Sequence, residues 1–221
     1  MTAKERPISF KAPMVQAILD DRKTMTRRVI NKLTRFGRIT EFSKSDTPGY
    51  DFCFRDREMR CHDMTRARVL ECCPYGVPGD VLWVRENGWE RPYRTPAMMR
   101  EGADTWPPYI YDADGFDKDE LKRQGWKRRP SIHMPRKHSR LSLLNMGVRI
   151  ERLQDISQGD AQQEGPKRCP SALRYWFNPG LDGLHDSARQ AFTALWNEIN
   201  GPGAWDANPF VWVISFRRIE Q

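Results

Sequence analysis

The run Phe210-Val211-Trp212-Val213-Ile214-Ser215-Phe216 is apolar at every position but Ser215. Successive side chains of a strand point to opposite faces, so a continuous apolar run predicts a central strand rather than an alternating, half-wet one. Upstream, Ser187-Ala188-Arg189-Gln190 fits a capping box. Ala188, Ala191, Phe192, Leu195, Trp196 and Ile199 then form a helical stripe that stops at Asn200-Gly201-Pro202. Gly147 to Leu153 alternates between apolar and charged residues, and Ser139 to Leu144 precedes it as a separate strand. Pro74 to Asp80 is dense in turn residues and leads into Val81-Leu82-Trp83-Val84-Arg85-Glu86, a core strand. Ser157 caps a short helix that runs to Glu164 and ends at Gly165-Pro166. At the other end of the chain, strand-like Ile8-Ser9-Phe10 precedes a short amphipathic helix from Pro13 to Asp20, followed by the polar and basic segment Asp21 to Arg28. Strands separated by short helices at uneven intervals predict an α+β domain spanning 1–221 around a strongly curved sheet.

Two stretches interrupt this pattern. Residues 31–68 and 87–129 are polar and charged without sustained periodicity and are expected as insertions of hairpins or loops. Thirty-seven Lys and Arg against 29 Asp and Glu leave a formal charge of +8, which favours polyanionic partners such as nucleic acids or nucleotides. No segment approaches the roughly 18 apolar residues of a membrane span, and Met1 to Pro7 lacks the apolar run of a signal peptide, so a cytoplasmic location is expected. Five cysteines, two of them vicinal at Cys72-Cys73, read as reduced thiols rather than a disulfide framework.

Several familiar chemistries lack their parts. There is no Gly-rich phosphate loop, no G-x-G-x-x-G, no zinc-deaminase signature and no H-E-x-x-H. Cys53, Cys61, His62, Cys72 and Cys73 are soft ligands in one segment, but their spacing departs from the knuckles of structural zinc sites, so no metal or other cofactor is expected. The four histidines His62, His133, His138 and His185 have no nucleophile-elbow context. From Lys122 to Arg140, eight cations alternate with Trp126, His133 and His138. That pattern suits either a phosphate-tracking strip with a stacking platform or a solvated face whose cations balance the acids at Asp112 to Glu120.

The helix Pro13 to Asp20, the following Arg22-Lys23-Thr24-Met25-Thr26-Arg27-Arg28, the Pro78-Gly79-Asp80 turn into Val81 to Glu86, and Leu153-Gln154-Asp155-Ile156-Ser157 before a Glu164-bearing helix together resemble the ASCH family. Cys73-Pro74-Tyr75-Gly76, Arg129 to Pro135 and Gly203 to Pro209 resemble segments of its longer phage and prophage members. The resemblance implies a PUA-like small β-barrel with flanking helices and a cleft for RNA or nucleoside ligands. It further implies an amidohydrolase that removes the acyl group of N4-acetylcytidine and related N4-acylated cytidines. Its catalytic Lys, the Thr three residues later and the Glu of a later helix correspond to Lys23, Thr26 and Glu164.

That set is chemically coherent. A Thr hydroxyl beside a lysine made neutral by desolvation can attack an amide or position a water, while a carboxyl group relays the proton. On one continuous strand, Lys23 and Thr26 would face opposite sides, so joint action requires an irregular segment between them. Outside the resemblance, Lys23 reads as an exposed cation, Thr26 as a cap hydroxyl and Glu164 as an acid on a wet helix face. Substrate contacts are expected from Arg28, Arg85, Glu86, His133, Arg136 and Asp206, with Arg85 and Glu86 alternatively pairing with each other. The second functional class is a PUA-type RNA- or DNA-binding module, with or without nuclease activity, working through the Lys122 to Arg140 strip.

Overall fold

The computed structural model describes residues 3–91 and 107–220. In chain order its elements are β1 (Glu5–Ser9), α1 (Ala12–Leu19), β2 (Met25–Val29), β3 (Lys32–Leu33), β4 (Gly37–Arg38), β5 (Glu41–Lys44), β6 (Phe52–Arg55), β7 (Cys61–Met64), α2 (Arg66–Glu71), β8 (Val81–Arg85), β9 (Gly88–Glu90), β10 (Tyr109–Tyr111), α3 (Lys118–Arg123), β11 (Lys127–Arg129), β12 (Ser142–Arg152), α4 (Gln158–Gln163), β13 (Lys167–Cys169), β14 (Ala172–Phe177), α5 (Ala188–Asn200) and β15 (Phe210–Ile219).

The mixed α+β architecture is organised by β15. Its partners are β12 and β2, both antiparallel, in a five-stranded sheet of order β1-β8-β12-β15-β2. Phe210, Trp212, Ile214 and Phe216 enter the main core with Ile8, Leu82, Val84, Leu143 and Ile150. Val211 and Val213 face a second core with Met25, Ala188, Ala191, Phe192 and Trp196. Two apolar layers, one on each face, explain why the run does not alternate. Val211, Val213 and Ile214 are fully buried, which stabilises the fold by about 1.5–3 kcal/mol each.

Two expectations change. Ser139 to Leu144 and Gly147 to Leu153 form one strand, β12, with a bulge between Asn145 and Gly147 that reverses the facing pattern without breaking the pairing to β15. The sheet also does not close into a barrel: β1 and β2 remain its edges. Where closure would need a backbone ladder, the Arg28 side chain spans the gap and donates to the Ser9 carbonyl oxygen at 2.5 Å.

Within residues 31–68, β5, β6 and β7 form an antiparallel sheet, and Leu33, Ile39, Phe52 and Phe54 are buried in the main core. The 87–129 stretch contains β9, β10 and β11 with α3, built around Trp89, Ile110, Leu121 and Trp126. Its central part, 92–106, lies outside the described residues. No helix among the described residues is long and apolar enough to cross a membrane.

Candidate active site

α1 starts with proline in its first turn and ends at Asp20, after which Asp21 takes a left-handed φ of 54°. The chain turns so sharply there that Arg22 and Lys23 both donate their backbone N–H to the Ala17 carbonyl oxygen. The strand β2 begins only at Met25, so Lys23 stands on the turn while Thr26 and Arg28 share one face of the strand. This irregular segment brings Lys23 and Thr26 to the same cleft.

From the opposite side comes α4. The Ser157 hydroxyl accepts a hydrogen bond from the Asp160 N–H at 3.1 Å, and Glu164 is the C-cap. Lys23 and Glu164 form an isolated antiparallel bridge between the two segments. Gly165 follows with φ 110°, and a Cβ there would lie 3.0 Å from Ala17 Cβ and 3.3 Å from Lys23 Cβ, so both backbone conformation and space call for glycine.

The Lys23 ammonium nitrogen donates to Glu164 Oε2 at 2.7 Å and to the Glu164 carbonyl oxygen at 2.9 Å. Their side chains are 1% and 3% exposed, which removes the reading of a wet cation and a wet acid. Burial pushes the Lys23 pKa below its ordinary value; Glu164 opposes that shift, and the charges of Arg28 and Arg27 add to it. Glu164 Oε1 accepts from Arg27 at 3.3 Å. Arg27 in turn pairs with Asp160 at 2.8 Å and Glu151 at 3.2 Å, and its side chain is fully buried. Sequence patterning gave no cue to Arg27, because on β2 it has the opposite parity to Thr26 and Arg28.

Lys23, Thr26, Arg28 and Glu164 all line one cleft of about 380 Å³. The Thr26 hydroxyl makes no hydrogen bond to the described residues. Arg28 lies over the Phe10 ring, 5.0 Å from its centroid, and pairs with no carboxylate among the described residues; its Nε is buried without a partner. Burial lowers the Arg28 pKa and raises that of the cleft-lining Tyr75 phenol. The opposite wall is apolar, built by Leu195, Trp196 and Ile199 of α5. A polar floor, an unpaired cation and an apolar wall suit a ligand with a planar apolar body and polar edges.

The remaining expected contacts lie elsewhere. Arg85 stacks on Trp83 at 4.6 Å and donates to the Ile132 carbonyl oxygen. Glu86 is buried and pairs with Arg140 through both oxygens at 3.0 and 2.9 Å, not with Arg85. Arg136 holds Glu5 in the same two-point manner, while His133 and Asp206 are exposed and outside the cleft.

In the Lys122 to Arg140 strip, Lys122 pairs with Asp119, Arg123 with Glu120, Arg128 with Asp112, Arg129 with Glu90, Arg136 with Glu5, and Arg140 with Glu86 and Asp114. Trp126 and His138 are buried, so they offer no stacking platform. Six of the eight cations of the strip are thus paired with carboxylates, while Lys127 and Lys137 form no ion pair among the described residues.

The candidate zinc ligands are dispersed. Cys72 and Cys73 belong to the main core, the sulfurs of Cys53 and Cys61 lie 2.6 Å apart on neighbouring strands, and His62 meets Asp56 Oδ2 at 2.9 Å. No group of three or more metal-ligating side chains occurs among the described residues. Comparison of the chain with models of protein families, with curated proteins and with solved structures finds no match.

Proposed function

We propose that the protein is a PUA-like, ASCH-type amidohydrolase that removes the acyl group from an N4-acylated cytidine or a closely related modified base. One observation carries this reading: the buried Lys23–Glu164 pair sits in the same cleft as a Thr26 hydroxyl with no hydrogen-bond partner among the described residues. A buried ion pair is a costly device for stability alone, and a lysine with a depressed pKa is a base at hand.

In this reading, neutral Lys23 takes the Thr26 proton as Oγ attacks the acyl carbon, or takes the proton of a water that Thr26 positions. Arg28 supplies positive charge to the cleft in which the oxyanion develops. Collapse breaks the C–N bond, and the same proton passes through the Lys23–Glu164 pair to the departing N4. Where Thr26 Oγ is the nucleophile, the acyl group is left as an ester on it. A water, giving its proton to Lys23, then attacks that ester, the C–Oγ bond breaks, and the carboxylic acid leaves as Oγ takes the proton back. Where water attacks directly, the acid is released in the first collapse. The cytosine ring delocalises the leaving charge, which lowers the demand on that proton.

The test is chromatographic: wild-type protein with N4-acetylcytidine and other N4-acylcytidines, beside Lys23→Ala, Thr26→Ala and Glu164→Ala. Cytidine released by wild type alone supports the reading. Equal turnover in all four proteins, or none in wild type at any concentration, rejects it. Thr26→Ala is the cleanest variant, because its hydroxyl holds nothing in place: activity is lost with the melting temperature unchanged.

A further inference from the structure

We infer that the cleft continues into a phosphate-tracking groove over β3 and β4, so that the acylated base it takes is a residue of a single-stranded nucleic acid rather than a free nucleoside. The inference rests on the cleft's being the site of base chemistry and adds where the rest of the substrate lies.

Three hollows share lining residues in series. The cleft shares Val29, Asn31 and Tyr75 with a second hollow of about 440 Å³, which is also lined by Lys32 and Trp212, by Arg6, paired with Asp80, and by Glu5, paired with Arg136. Lys32 in turn belongs to a third hollow of about 420 Å³, bounded by Phe36, Gly37, Arg38 and Arg57.

The charge along this path is unlike that of the Lys122 to Arg140 strip. Lys32, Arg38 and Arg57 are exposed, and none forms an ion pair among the described residues. Nearby acids are already engaged: Glu5 by Arg136, Asp56 by Arg60 and His62, Glu58 by Arg60. Lys32 and Arg38 are also directly opposite each other in the β3–β4 ladder. Like charges at that position destabilise a hairpin unless something anionic lies across them.

A formal charge of +8 with most of the strip neutralised must reside elsewhere, and this path carries part of it. Tyr75 at the junction and half-buried Phe36 offer rings against which bases can stack. Within the second hollow, the Trp212 indole N–H is buried without a hydrogen-bond partner among the described residues. Cations spaced along a groove with aromatic rings between them are what a flexible phosphodiester chain requires.

Binding is read without turnover, by fluorescence anisotropy of end-labelled twelve-nucleotide cytidine-rich RNA and DNA. Three neutralised phosphates imply a loss of about 20-fold in affinity between 50 and 200 mM salt. The K32E/R38E/R57E variant is expected to bind at least about tenfold more weakly than wild type at 50 mM salt. A K127E/K137E control, which reverses two exposed cations of the strip that form no ion pair among the described residues, is expected to bind like wild type. Should the triple variant melt early, the three single reversals, each costing about two- to threefold, replace it.

Unchanged binding by the groove variants, loss in the strip control instead, or no binding at 50 mM salt overturns the proposal. Binding of either oligonucleotide that follows the groove variants supports it, with the tighter arm naming the sugar. Failure here leaves the hydrolysis test of the cleft untouched. Conversely, a protein that hydrolyses no N4-acylcytidine can still show the groove.

Discussion

Lys23 is held in a position where burial and its neighbours pull in opposite directions. Burial and the charges of Arg27 and Arg28 favour the neutral amine; Glu164 favours the ammonium, and the resulting pKa lies below that of a free lysine. A base is active when deprotonated, so kcat/KM on an N4-acylcytidine is expected to rise with pH along a limb whose midpoint lies below the ordinary lysine value, and Lys23→Ala is expected to abolish that limb. A pH–rate profile reads both. The sign for stability is the same: between the folded and the unfolded lysine pKa the unfolded chain binds more protons, so this residue's contribution to stability grows as pH rises through that window.

Glu164→Ala differs from Thr26→Ala in being structural as well. It leaves the Lys23 amine buried without its carboxylate, at about 3 kcal/mol, whereas Glu164→Gln keeps an acceptor and is expected to cost less. Chemical denaturation separates the two. Glu86, by contrast, is fully engaged by Arg140, so Glu86→Ala is expected to lower stability by about 1–3 kcal/mol and to leave the affinity for an N4-acylcytidine, read as KM, unchanged.

At the scale of elements, the site is assembled by two chain reversals: the left-handed turn after α1, and the Glu164–Gly165 end of α4. Gly165→Ala is expected to destabilise by about 1–3 kcal/mol through its φ of 110° and to lower turnover by displacing Lys23; melting and activity are to be measured on the same sample. The caps at Ser157 and Ser187 were legible in the sequence because hydroxyl capping is local, as were the helices they start and the stripe of α5. Strand β12 was legible as apolar and charged alternation but not as one element. Its bulge is marked locally only by Asn145, whose side-chain oxygen accepts the Gly147 N–H at 3.1 Å, while the continuity of the strand across it comes from pairing to β15, 68 or more residues away.

Across the whole molecule, the polar stretch 31–68 is tied into the centre of the protein. Phe52 and Phe54 bring their rings into the main core, with Phe52 5.6 Å from Phe210. Phe54→Ala is therefore expected to cost about 3–5 kcal/mol, measured by urea denaturation; a loss near zero would mean that this sheet is a detachable insertion. Composition hides such a segment, because its few aromatic residues are diluted by charged turns.

By itself the sequence determined what depends on near neighbours: the central strand Phe210 to Phe216, the capped helices and the α+β class. Lys23, Thr26, Arg28 and Glu164 became candidates for one cleft only through the family resemblance, since local pattern made Lys23 and Glu164 wet surface charges. The tertiary structure alone decided what depends on residues far apart in the chain. It left the sheet open between β1 and β2, made Arg27 the clamp on Glu164, gave Glu86 to Arg140, and paired six of the eight cations of the Lys122 to Arg140 strip while leaving Lys32, Arg38 and Arg57 without carboxylates among the described residues. The physical reason is the range of the forces. Capping and periodicity act over a few residues, whereas pairing of charges and closure of a sheet depend on which surfaces the packed core brings within a few ångströms of each other.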